Sequence, residues 1–134
     1  MLEDAQAQLS NEAFQAFHKV YEFSKEHADQ INLGTGAQAS FSPIFNSLSN
    51  KSLFSLYVSP TYSFGLNFEW IAKSGREDTA TLLKEKLESI GFSIPGDYMN
   101  RRPSLNTDEW VPKVDEILEA LRGMLKSEQV NSRG

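Results

Sequence analysis

Between Phe64 and Trp70 every second residue is large and apolar: Phe64, Leu66, Phe68 and Trp70 alternate with Gly65, Asn67 and Glu69. A period of two belongs to a strand with one buried face, so the pattern predicts a strand over 63–70. Upstream, Phe54, Leu56 and Val58 alternate with Ser55 and Tyr57, and the turn-forming cluster Ser59-Pro60-Thr61 lies between the two runs. Together they predict a β-hairpin. Setting Leu56 opposite Phe64 and Phe54 opposite Leu66 places the large apolar side chains on one face, with Tyr57 beside Ser63 and Lys51 beside Glu69 on the other. A slip of one residue would set Phe54 and Leu56 against the polar row, so the pattern specifies this register. A shorter run, Ser40 to Phe45, predicts a third strand beside the hairpin. Pro43 has no N–H to give a ladder, which puts that strand at the sheet edge.

The flanking thirds carry the helical period. Phe14, Phe17, Tyr21 and Ala28 share one face of a helix expected from Ser10 to Ile31, with Ser10 as its N-cap and the glycines of Asn32-Leu33-Gly34-Thr35-Gly36 as its stop. Leu83, Leu87 and Ile90 form the stripe of a second helix over 77–90, which Gly91 can terminate in a left-handed conformation. Phe92 to Asn106 holds Pro95, Pro103, a Gly-Asp pair and Arg101-Arg102, and predicts a loop. A last helix starts at Thr107 or shortly after, with Pro112 in its first turn and Val114, Ile117, Leu118, Leu121 and Leu125 facing inward. Residues 1–9 either extend the first helix or fray, a choice the pattern leaves open, and 129–134 are expected to fray.

The resulting expectation is a single α+β domain over 1–134: a three-stranded antiparallel meander with three helices packed on one face, in the order α-β-β-β-α-α. The other face would carry Lys51, Ser55, Tyr57, Ser63, Gly65, Asn67 and Glu69. Such a face is either solvated or a place where something docks.

Charge narrows the choice of partner. The 134 residues include 13 Lys and Arg against 18 Asp and Glu, a net charge of −5. Bulk positive charge cannot grip duplex backbone here, so any nucleic-acid contact must be a local patch. There is no cysteine, which removes disulfides and thiolate metal sites. Met1 to Asn11 lacks the basic start and apolar core of a secretory signal, and no apolar run approaches the ~20 residues of a membrane span, so a cytoplasmic protein without membrane contact is expected.

Catalytic patterns are sparse. His18 and His27 lie nine positions apart on the first helix, which turns them to opposite sides and predicts no shared metal. The sequence has no Gly-x-Ser-x-Gly elbow and no Gly-Lys-Ser/Thr after its glycines. It also has no Asp/Glu-x-Lys triplet of the kind that serves metal-dependent nucleases. The expected sets of catalytic residues, metals and cofactors are therefore empty. Arg101-Arg102-Pro103-Ser104 is the densest positive charge in the chain. Its guanidiniums could fork a phosphate or carboxylate, or one could pair with Asp97 or Asp108. Tyr57, on the polar row, could stack on a base or cover the Lys51 stem.

Ser40-Phe41-Ser42-Pro43, Leu53-Phe54-Ser55-Leu56-Tyr57, Leu66-Asn67-Phe68-Glu69-Trp70, Ile94-Pro95-Gly96-Asp97 and Asn100-Arg101-Arg102-Pro103-Ser104-Leu105 follow one another along the chain. In combination they resemble an uncharacterised prokaryotic domain that often trails a PD-(D/E)XK nuclease-fold domain in longer bacterial and archaeal proteins. The resemblance spans about Gly34 to Leu125. It implies a noncatalytic accessory or targeting role near DNA processing or defence. On its motifs, Gly36, Ser40, Asn67, Arg101, Arg102 and Ser104 are the surface candidates, joined by Tyr57 from the hairpin register. Phe41, Phe54, Phe68 and Trp70 are expected to hold the fold. A loop folding back across the sheet edge would bring the arginines near the glycine loop, making one anion-binding patch for nucleic acid or an acidic protein. The alternative is a self-associating interaction domain, a homodimer without nucleic-acid affinity.

Overall fold

Two helices open the chain, α1 (Leu2–Gln8) and α2 (Asn11–His27), in a computed structural model that describes residues 2–35 and 39–133. The Ser10 hydroxyl accepts the Ala13 N–H at 3.1 Å and caps α2 as the sequence predicts. The helix does not run to Ile31. Ala28 turns extended at ψ 147°, and the chain enters β1 (Gln30–Thr35). Gly34 and Thr35 thus belong to a strand rather than a helix stop, while Gly36 lies outside the described residues. Gly34 faces Ser40 across the ladder, where a Cβ would collide with Ser40 Oγ.

The sheet has five strands, not three. β1, β2 (Ala39–Ile44), β3 (Phe54–Tyr57), β4 (Tyr62–Leu66) and β5 (Ser104–Asn106) lie in sequence order, each antiparallel to the next. The hairpin has the expected register: Phe54 opposite Leu66, Ser55 opposite Gly65, Leu56 opposite Phe64. β2 is an interior strand between β1 and β3, contrary to the reading of Pro43. The ladder between β2 and β3 stops at Ser40 and Phe41, so Pro43 sits where that flank has no partner strand to bond. The carbonyl of Phe54 takes a hydrogen bond from the Ser52 hydroxyl at 2.5 Å instead.

The alternation through Phe68 and Trp70 does not continue the strand. Asn67 leaves the extended region at φ −94°, ψ 43°, and α3 (Phe68–Lys73) follows. Two residues along a helix turn about 200°, so Phe68 is buried while Trp70 is carried to the surface. Lys51 and Glu69 consequently form no cross-strand pair, because neither lies in a strand. Next, α4 (Glu77–Ile90) has its expected bounds, with Gly91 at φ 117° ending it. The predicted loop of 92–106 contains a 3₁₀ turn at Tyr98–Asn100 and then β5. The final helix is broken into α5 (Thr107–Trp110), a 3₁₀ turn at Val111–Lys113 holding Pro112, and α6 (Val114–Arg133). Residues 129–133, expected to fray, continue α6.

Phe41, Phe54, Leu56, Phe64, Leu66 and Leu105 form the inner face of the sheet and join one contiguous core with residues of α2, α5 and α6. Phe17 and Tyr21 of α2 meet Phe41 edge-on at 5.3 and 5.2 Å, and Trp110 meets Phe64 at 5.3 Å. Each buried aromatic contributes about 1.5–3 kcal/mol through the apolar area it withdraws from water. A bulge in β4 between Tyr62 and Phe64 leaves Ser63 unpaired with β5. Its hydroxyl accepts the Trp110 indole N–H at 2.7 Å and shares a hydrogen bond with Thr107 Oγ1 at 2.7 Å, so Ser63 serves the core side rather than the polar row.

Candidate functional site

Alternation turns Ser42, Ser55, Tyr57 and Gly65 away from the aromatic core. Much of this outer face is nonetheless buried: Ser55 is 3% exposed and Asn67 3%. A chain of hydrogen bonds closes it. Ser42 and Ser55 share one at 2.7 Å. The Asn67 amide nitrogen donates to Ser55 Oγ and to the Ser52 carbonyl, both at 3.2 Å. These bonds tie β2, β3 and the start of α3 together on the side away from the hydrophobic core.

Above this layer lies an open cleft of about 470 Å³ lined by Tyr57, Gly65, Asn67, Glu69, Asn100, Arg101, Arg102, Pro103 and Ser104. Gly65 opens its floor. A Cβ there would lie 3.2 Å from Tyr57 Cε2 and 3.7 Å from Ser104 Oγ, so the missing side chain is what lets the tyrosine ring approach the strand. The arginine segment is held by its backbone, with the Arg101 carbonyl accepting Glu69 N–H at 3.0 Å and the Pro103 carbonyl accepting Leu66 N–H at 2.8 Å. This anchoring sets both arginines at the rim while leaving their side chains exposed.

The two guanidiniums have different surroundings. Arg101 Nε donates to Asp97 Oδ2 at 2.8 Å, an ion pair with both partners more than half exposed. Screening by water makes that pair weak and replaceable. Arg102 has no carboxylate within ion-pair distance among the described residues; its guanidinium carbon lies 4.7 Å from the centre of the Trp70 ring. Glu69, the lone carboxylate in the cleft lining, sits 3.4 Å from Lys73 Nζ. The cleft therefore offers cations, an aromatic ring and amide and hydroxyl groups, a set suited to holding an anion.

Five sequence candidates, Tyr57, Asn67, Arg101, Arg102 and Ser104, meet in this cleft. Ser40 lies beside Tyr57 in the ladder, outside the lining, and is 8% exposed beneath Gly34. Gly36 lies outside the described residues, and the arginines do not approach Gly34. They precede β5 at one edge of the sheet, whereas Gly34 is in β1 at the other. Trp70, assigned to the core by its alternation, is 38% exposed and carries Arg102. Asn67, a helix N-cap by position, was the signal that could have moved it there.

Among the described residues no group of three or more His, Asp or Glu is placed to hold a metal ion, and no helix is long and apolar enough to cross a membrane. Comparison of the chain with family models, curated proteins and solved structures finds no match.

Proposed function

We propose that the chain is a noncatalytic accessory module of a DNA-processing or defence system that contacts single-stranded nucleic acid through the outer face of its sheet. The observation that carries this reading is the Arg102 guanidinium stacked on the exposed Trp70 ring at the rim of the cleft. A base of any sequence can stack on the outer plane of the guanidinium or on the ring face that it leaves open, and the guanidinium charge neutralises the adjoining phosphate. Duplex DNA offers no unstacked base to this ring, and a body of net charge −5 repels its dense phosphates.

Fluorescence anisotropy of a labelled oligothymidylate, titrated with the protein across a salt series, tests the reading. Binding that weakens with salt, favours single strand over duplex and falls at least about tenfold in Arg102→Ala is expected. Absence of binding, or binding indifferent to Arg102, contradicts it. A second reading, self-association without nucleic acid, draws on the open edge of β1, where Leu33 is 60% exposed. Light scattering separates the two: a concentration-independent dimer with no oligonucleotide affinity favours the second.

A further inference from the structure

A second cleft, of about 540 Å³, is lined by Trp70 together with Asn32, Asn50, Lys51 and Lys73. Both clefts fall within the ~300–1,000 Å³ that small ligands occupy. Trp70 lines this second cleft, and Arg102, stacked on its ring, lines the first. The stack is thus their common wall. The second cleft has two exposed lysines and no carboxylate in its lining; Glu69, which reaches Lys73 at 3.4 Å, belongs to the first cleft. On an acidic chain, the four cations of the two clefts, Arg101, Arg102, Lys51 and Lys73, outnumber the two carboxylates that pair with them, Asp97 and Glu69, a local reversal of charge.

The ground beneath the lysines is also fixed. Ser49 Oγ accepts the Lys51 N–H at 3.1 Å, Ser52 Oγ donates to the Phe54 carbonyl, and Ser42 is bonded to Ser55. A loop tied down in this way presents Lys51 at a set place rather than sweeping it through solvent.

We propose that this second cleft is a further phosphate-binding subsite, so that one nucleic-acid strand crosses the face from Tyr57 and Arg101 over Trp70 to Lys51 and Lys73. The inference rests on the single-strand reading above and extends it by naming the path and its polarity of contacts: base stacking at the centre, backbone neutralisation at both ends. On this path dT3 should reach fewer of the cations than a longer strand does. A longer strand gains the lysines.

The test compares the intact chain with Lys51→Ala/Lys73→Ala, using dT3 and dT12 over a salt series. Both lysines are exposed, so the variant keeps its fold. For dT12 the slope of log affinity against log salt should become shallower by about 1.4, since each phosphate contact on a single strand accounts for about 0.7. Affinity for dT12 at low salt should drop several-fold, and the gain from dT3 to dT12 should shrink. An unchanged slope in the double variant, with binding by the intact chain still dependent on Arg102, overturns the second subsite and leaves the first reading standing. No binding of either oligonucleotide by the intact chain removes both. Equal, lysine-dependent binding of oligoglutamate would assign the cleft to an acidic peptide and overturn the nucleic-acid path.

Discussion

The two faces of the sheet are built from different materials. Inward, Phe41, Phe54, Leu56, Phe64 and Leu66 fill the core with large side chains, and stability there scales with apolar area. Outward, Ser42, Ser55 and Asn67 are small or amide residues joined by directional hydrogen bonds, with Gly65 beside them, beneath the exposed Arg101 and Arg102, the latter lying over the Trp70 ring. A merely solvated face has no need to bury Ser55 and Asn67, because water would satisfy them. Polar groups that are buried and fully paired fix geometry. The contrast assigns stability to one side of the sheet and positioning to the other.

Substitutions can break that contrast in order of size. Phe64→Ala, which empties the space between Phe54 and Trp110, should cost about 3–5 kcal/mol in denaturant unfolding. Ser63→Ala strands the Trp110 indole N–H in the core and should cost about 1–3 kcal/mol by the same measurement. On the outer side, Gly65→Ala trades a crowded contact with Tyr57 for a better strand former, so stability should stay within about 1 kcal/mol while oligonucleotide affinity falls as the ring is displaced. Equal stability losses for Gly65→Ala and Phe64→Ala would erase the distinction between the faces.

The smallest effect lies away from both. The Arg76 guanidinium, hydrogen-bonded to Asp78 at the start of α4, holds that carboxyl below its ordinary value of 3.8, against a modest opposing effect of burial. A carboxyl depressed on folding stabilises above its unfolded value, and that contribution disappears as pH falls through the folded value. Asp78→Asn should therefore reduce stability at neutral pH by less than about 1 kcal/mol, since both groups meet solvent, and leave it unchanged in strong acid. Urea midpoints measured from pH 2 to 7 check the sign.

The hairpin of β3 and β4 was legible because its inward residues are large and strictly alternate. So was α4, which has both a helical stripe and a terminating glycine. The two edge strands were not. β1 follows α2 directly and leaves Leu33 exposed, so its few apolar residues fit a helical tail as well as a strand. β5 spans Ser104–Asn106 with one inward residue, too short to display any period, and it exists through its bonds to β4. The cleft was half legible: residue chemistry pointed to Arg101, Arg102 and Tyr57, and the resemblance to Asn67 and Ser104, and the fold does bring these five together. Trp70 was hidden by its place at the end of an alternating run, and the second cleft by the lack of any motif around Lys51 and Lys73.

Indole emission reports most directly on whether the outer face engages a base. Of the two tryptophans, Trp110 is 1% exposed and shielded, so a response to added oligothymidylate must come from Trp70. Saturable quenching in the intact chain that vanishes in Trp70→Phe is the predicted result; no quenching at any concentration, or the same quenching in Trp70→Phe, would contradict it.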